Sequence, residues 1–344
     1  MENRVCIRGH AVEIEVFSYS SEAQTFVGTP AIELESIKKR FGQKEALKGI
    51  SVSLPTGIIC GVIGPNGSGK TTTLRIILDI LQPDEGKVSV LGSEASRLAN
   101  DRISYLPEER GLYKKMKISH QLQYFGGLKN VSKRDIKTRS KAWLERLNLG
   151  DVSEQRVETL SKGMAQKIQF IGAIINEPEL LILDEPFSGL DPVNMEILRE
   201  AIVEMKNNGT TILFSTHDMG MAEKMCDSIL MIYEGNKVLD GSLEQIQERY
   251  DDDTIRVKIR PRRGDARSSG AILSDCAGVG KIRDFGRYQE VSGVENRDDF
   301  LGMLTQAASV DYFEITPPNL HDIFVRIARP SEQEARETQG TSVS

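Results

Sequence analysis

Between Ala31 and about Gly241 the chain alternates short apolar runs with helical patterns. Three runs stand out: "IICGVIG" (58–64), "LLILD" (180–184) and "TILFSTH" (211–217). Each is apolar at successive positions, as strands are when helices cover both faces of a sheet, so the region reads as α/β with a parallel sheet. After the first run, Leu74, Ile77, Leu78 and Leu81 recur at i, i+3, i+4 and i+7. They predict a helix with one buried stripe, closed by "QPDEG". Met164, Ile168, Ile171 and Ile175 make a second stripe, stopped by Pro178. Residues 114–158, rich in Lys, Arg and Leu with few strand signals, join it in a helical insert of about 114–176.

From about residue 254 the elements shorten to "TIRVKIR", a helical "DDFLGMLTQAA", the strand "VDYFEIT" and a last helix "NLHDIFVRIA". Residues 250–330 therefore predict a small α+β domain after a first domain of residues 31–245. The tail 331–344 has almost no apolar residues, which predicts disorder. Residues 1–30 form an N-terminal extension whose brief alternation at "VEIEVF" allows a strand and supports no role.

Composition narrows the class. A length of 344 residues is enough for two domains, and 39% hydrophobic with 27% charged residues is the balance of a folded, soluble chain. The net charge of −6 gives no electrostatic reason to expect nucleic acid as a partner. Cysteines 6, 60, 226 and 276 lie too far apart for a metal site or disulfide framework and suit a reducing cytosol, with Cys60 a small core residue. No apolar run reaches the ~18–20 residues that a membrane-spanning helix needs, and residues 1–30 lack the pattern of a secretory signal. Work at a membrane therefore requires another chain to cross it.

The chemistry concentrates at "GPNGSGKT" (64–71), which fits G-x-x-x-x-G-K-[ST] directly after a strand and before a helix. Gly64, Gly67 and Gly69, with Pro65, Asn66 and Ser68 between them, allow backbone N–H groups to converge on phosphate oxygens. The helix beginning near Lys70 adds the positive end of its dipole. Lys70 would reach the β- and γ-phosphates of a nucleotide, Thr71 would ligate Mg²⁺, and Thr72 continues the loop into the helix. Asp184, at the carboxyl end of a buried strand, lies where ligands bind in open α/β sheets and would hold the Mg²⁺. Glu185 follows as a candidate general base for an attacking water.

With these motifs the sequence resembles the ATP-binding subunit of an ABC transporter over roughly residues 31–245. The resemblance implies a P-loop ATPase fold with a helical subdomain, ATP and Mg²⁺, and a homodimer sharing two ATP sites. In "LSKGMAQ" (160–166), Ser161 and Gly163 match the signature residues that contact the γ-phosphate held by the opposite subunit. Phe41, in "KKRFGQKEAL", resembles the aromatic that stacks on adenine, although its spacing fits a core aromatic equally well. Asp191 in "SGLDP" resembles the loop coupling the two sites, and His217 the switch histidine at the γ-phosphate. Two departures stand out: Glu108 occupies the position where the family usually carries a Gln that contacts Mg²⁺ and the membrane partner, and the signature carries Lys162 and Met164. These variants and "PPNLHDIF" resemble the subgroup serving ABC-2 type exporters. The implied partner is a multi-span permease on a separate chain, reached from the cytoplasmic face of the membrane and docked on the helical insert.

Two other readings compete. A soluble ABC ATPase of ribosomes or nucleic acid usually carries two cassettes or long coiled coils, whereas this chain has one cassette and no sustained heptads. A GTPase would carry N-K-x-D, and the similar stretch "NKVL" at 236–239 has Leu239 in place of Asp. In the second domain Asp265, Arg267, His321 and the basic "RPRR" (260–263) read as solvated positions without chemistry.

Overall fold

The structure is a computed structural model and describes residues 5–7, 10–12, 29–94, 101–109, 111–250, 254–264, 266–276, 279–294, 296–315 and 317–328. Most of "VEIEVF", Asp265 and the tail 331–344 lie outside the described residues. The described residues form two compact units, one up to Leu243 and the other from Glu244 onward.

In chain order, the first unit opens with a short antiparallel pair, β1 (Val5–Ile7) and β2 (His10–Val12). Two long strands follow, β3 (Ile32–Phe41) and β4 (Lys44–Leu54), joined at Gly42, whose φ of 58° suits a tight turn. Then come β5 (Ile59–Ile63), α1 (Lys70–Ile77), β6 (Glu85–Val90), β7 (Ser93–Glu94) and β8 (Ile103–Leu106). The insert is helical: α2 (Ile118–Leu128), α3 (Lys133–Arg146) and α4 (Lys162–Ile174). Nine of the 13 residues of α4 are buried, including Phe170 and Ile171 at 0% exposure, because α2 and α3 cover the faces that an isolated helix would leave to water. The unit closes with β9 (Leu180–Asp184), α5 (Pro192–Asn207), β10 (Thr211–Thr216), α6 (Met219–Met225), β11 (Ser228–Tyr233) and β12 (Asn236–Ser242).

A six-stranded sheet runs β12-β11-β5-β10-β9-β8, parallel except at β12. Every residue of β5, β9 and β10 is buried, as their unbroken apolar runs require. The structure adds a second, antiparallel sheet that the apolar runs do not announce, in the order β4-β3-β6-β7. Register shifts between Leu34 and Ile37, with Ser36 at a φ of 50°, break the two-residue period of β3 and conceal it. Helix α1 lies between the sheets: Leu74, Ile76 and Ile77 share one core with Ile37 and Ile50 of the antiparallel sheet and Ile182 and Leu213 of the parallel one.

Helix α1 is shorter than its periodicity predicts. It stops at Ile77 because Asp79 turns left-handed at a φ of 58°, and the amides of Ile80 and Leu81 fold back onto the Arg75 carbonyl. Leu78 and Leu81 still pack on the core from outside the helix. Burial of the stripe survives the loss of helical geometry.

The boundary falls after the first residue of α7 (Leu243–Arg249), and the second unit continues with β13 (Ile255–Pro261), α8 (Ser269–Ser274), β14 (Lys281–Asp284), β15 (Gln289–Ser292), α9 (Arg297–Ala307), β16 (Ala308–Ile315) and α10 (Leu320–Ala328). Its antiparallel sheet has the order β14-β15-β13-β16. One face of that sheet packs Ile255, Val257 and Val291 against Leu273, Phe300 and Leu304 from α8 and α9.

Candidate nucleotide site

The loop after β5 needs backbone freedom that only glycine supplies. Gly64, at a φ of 149°, passes so close to β11 that an added Cβ would lie 2.1 Å from the Ile232 carbonyl oxygen. Gly69, at a φ of 117°, leads into α1. That helix starts with no side-chain cap and no acidic residue in its first turn, whereas α3, α4, α5 and α6 are capped by Ser132, Ser161, Asp191 and Asp218. The first N–H groups of α1 thus have no side-chain acceptor and carry the positive end of the helix dipole, a fit for phosphate oxygens. Lys70 leads the helix. Its side chain is 7% exposed, with Nζ donating to the Gly64 carbonyl at 2.9 Å and the Pro65 carbonyl at 3.2 Å. Burial lowers its pKa from the ordinary lysine value, against the opposing charges of Glu185, Asp184 and Glu108.

Opposite the loop, β9 ends in Asp184, 1% exposed. Its Oδ1 accepts from Ser215 Oγ at 2.5 Å and Thr71 Oγ1 at 3.2 Å, and its Oδ2 from Tyr105 OH at 3.4 Å. Burial and the Asp184 charge push the Tyr105 phenol up to about 12. Glu185 sits in the left-handed region at a φ of 48°, its amide donating to both Ser215 O (3.2 Å) and Ser215 Oγ (3.1 Å). Its carboxylate is 3.8 Å from Lys70 Nζ and 3.1 Å from His217 Nδ1. A left-handed non-glycine residue costs on the order of 1–2 kcal/mol, a strain typical of functional turns.

A cleft of about 380 Å³ brings together Phe41, Asn66, Gly67, Gly69, Lys70, Thr71, Thr72, Glu108 and Glu185. Phe41 is 50% exposed at the end of β3, with the Lys39 ammonium 5.9 Å from its ring centroid, so it is not a core aromatic. Gly64 and Pro65 lie behind the cleft, holding Lys70 through their carbonyls, and Ser68 is buried with its hydroxyl unpartnered. Asp184 lies beneath the cleft lining.

Ser161, Gly163 and Asp191 do not line this cleft. Ser161 caps α4 by accepting from the Met164 amide at 3.2 Å, which leaves its O–H proton available to donate. An added Cβ on Gly163 would come 3.3 Å from Asn194 Nδ2 and 3.5 Å from Leu190, placing the signature against the start of α5. Asp191 caps α5 through the amides of Val193 (3.1 Å) and Asn194 (3.0 Å), and its bonds to Asn194 hold its carboxyl below the ordinary range.

The motifs did not reveal three contributors. Ser215 ties Asp184 to Glu185; Tyr105 covers Asp184; and Gln169 Nε2, 3.3 Å from the Pro107 and Glu109 carbonyls, braces the loop carrying Glu108. Polar positions inside otherwise apolar strands, as in "LFST", are the signal that could have found Ser215.

The donor set also bears on a metal. Among the described residues no cluster of three or more His, Cys, Asp or Glu could hold an ion. Thr71 and Asp184 supply two adjacent oxygens, a fit only for a cation whose other ligands are phosphate and water oxygens, as with Mg²⁺.

Residues 47–188 match the family described as ABC transporter. An uncharacterized ABC transporter ATP-binding protein, YhaQ of Bacillus subtilis (strain 168), is 39% identical over 294 residues, 86% of this chain and 97% of its own length. Nod factor export ATP-binding protein I of Rhizobium meliloti (strain 1021) is 33% identical over 87% of this chain and 88% of its own. Among solved structures, an ATP-binding subunit of an ABC transporter superposes with a TM-score of 0.60 at 28% identity, covering 64% of this chain and 93% of that one.

Proposed function

This chain belongs to the ATP-binding proteins of ABC transporters, and from that premise we propose that it hydrolyses ATP to drive an ABC-2 type exporter through a homodimer closed over two ATP molecules. The observation carrying this reading is the single cleft that unites the uncapped start of α1, Lys70 and Glu185 beside an exposed aromatic ring. Relatives named for export support the direction of transport. Among the described residues no helix is long and apolar enough to cross a membrane, so the pathway would lie in a multi-span permease on another chain, with this chain peripheral on the cytoplasmic face.

Phe41 stacks on the adenine while the loop amides and Lys70 bind the phosphates. A phosphate approaching Lys70 replaces the Gly64 and Pro65 carbonyls as its acceptor, exchanging neutral partners for a charged one. Glu185 holds the attacking water and takes its proton. His217, 3.1 Å away, fixes the carboxylate's direction and turns toward the γ-phosphate. Thr71 and Asp184 would hold Mg²⁺, which supplies charge neutralisation at the phosphates, with Glu108 able to approach from the cleft wall. Ser161 and Gly163, outside their own chain's cleft, contact the ATP of the second copy through the Ser161 hydroxyl and the start of α4. Asp191, capping α5 where it meets Gly163, couples the two sites across the dimer. Hydrolysis removes the shared γ-phosphate contacts and opens the dimer.

The test is to recover the tagged chain from native membranes and identify what stays bound. A multi-span protein in near-equal ratio is expected. Recovery only with ribosomes or nucleic acid would overturn the transporter reading while leaving the ATP site intact.

A further inference from the structure

The second unit contains a cleft of about 290 Å³ that no sequence motif marks. Its floor is the sheet face opposite the apolar core. Lys281 and Arg283 stand two apart on β14, so their side chains leave the same face, and register sets them opposite Ser292 and Glu290 of β15. Glu290 faces Arg256 of β13 on its other side. The residues between them, Ile282, Val291 and Ile255, point to the core. Pro317, Pro318, and Asp322 and Arg326 of α10 form the rim.

The lining carries four cations and two carboxylates, a net +2 in a chain whose total is −6. One carboxylate is already committed: Glu290, nearly buried, holds Arg256 Nε at 3.0 Å. Arg256 also lies 5.5 Å from the Tyr288 ring centroid, so its guanidinium is fixed from two sides. Arg326 is anchored by donating to the Tyr250 carbonyl at 3.1 Å. Lys281 and Arg283 have no ion-pair partner among the described residues. Like charges two positions apart on a strand, about 7 Å, repel each other, more so beside a low-dielectric wall. A concave surface that collects such charges, two of them pre-oriented, favours a compact multivalent anion.

We propose that this cleft binds a phosphate-bearing ligand with a small hydroxylated body, its phosphate held by Lys281, Arg283 and Arg256 and a hydroxyl by Asp322. The volume accommodates a sugar- or glycerol-phosphate group. Both a free metabolite and a lipid headgroup present this chemistry, and the assay separates them.

Glycerol 3-phosphate is titrated calorimetrically into the full chain saturated with a non-hydrolysable ATP analogue, which fills the phosphate loop of the first unit. Co-sedimentation with phosphatidylglycerol and phosphatidylcholine vesicles runs in parallel. The expected result is one equivalent of glycerol 3-phosphate, or binding to the phosphatidylglycerol vesicles alone, weakened at least tenfold in Lys281→Gln/Arg283→Gln. Loss of the soluble ligand in that variant assigns a free phosphate, and loss of vesicle binding assigns a headgroup. Both substituted residues are exposed, and an unchanged calorimetric unfolding profile of the full chain reports that the second unit of the variant is folded, while unchanged affinity for the ATP analogue reports the first. Failure of the ATP-site reading would appear in that affinity alone. No binding of either probe, or binding equal in the variant, overturns the proposal.

Discussion

Ser215→Ala tests whether the cleft depends on a hydroxyl that never reaches its lining. Ser215 is fully buried, and its Oγ joins two acidic residues with separate roles: it donates to Asp184 Oδ1 at 2.5 Å and accepts from the Glu185 amide at 3.1 Å. A hydrogen bond to a buried carboxylate is worth about 1.5–3 kcal/mol. The Glu185 amide keeps the Ser215 carbonyl at 3.2 Å, so the second loss adds only a few tenths. The sum, about 2–3 kcal/mol, corresponds to a fall in Tm of roughly 5–10 °C for a unit of this size. Glu185 is also held at a positive φ by this pair of bonds, and relaxation would misdirect its carboxylate. A tenfold fall in kcat, equal to about 1.4 kcal/mol, is expected with little change in KM for ATP, because Ser215 does not line the cleft. Calorimetry of the nucleotide-free chain and steady-state hydrolysis give the two readouts. A Tm shift under 2 °C with unaltered kcat would refute the reasoning.

Three further outcomes follow from the site. Glu185→Gln should lower turnover by about 10²- to 10⁴-fold, roughly 3–5 kcal/mol, while ATP affinity is kept or raised, because a carboxylate 3.8 Å from Lys70 is neutralised; hydrolysis at the wild-type rate would exclude Glu185 as general base. Gly64→Ala should lower the nucleotide-free Tm more than Gly67→Ala, since only at Gly64 does the new Cβ meet backbone, 2.1 Å from Ile232 O; the reverse order would show that the loop approaches β11 less closely. Tyr105 should titrate near pH 12 in the difference spectrum between the chain and Tyr105→Phe. Its folded pKa lies above the unfolded value of about 10, so its contribution to stability is complete below pH 10 and disappears as pH rises toward 12; a midpoint at 10 would place the phenol in water.

The phosphate loop and the strand ends could be read directly because each is a local pattern. "GPNGSGKT" needs only neighbouring residues to define its turn, and the unbroken apolar runs of β5, β9 and β10 demand two covered faces. Long-range contact decided the rest. Asp184 meets Thr71 across 113 positions, Tyr105 across 79 and Ser215 across 31, and no periodicity carries that information. The antiparallel sheet is hidden by bulges in β3, and α1 ends where packing against two sheets outweighs helical periodicity. In the second unit, Lys281, Arg283, Arg256 and Arg326 lie scattered along the chain, and no sequence motif singles them out. Strand register and the placement of α10 gather them into one cleft, because the pairing of β13, β14 and β15 fixes which side chains share a face.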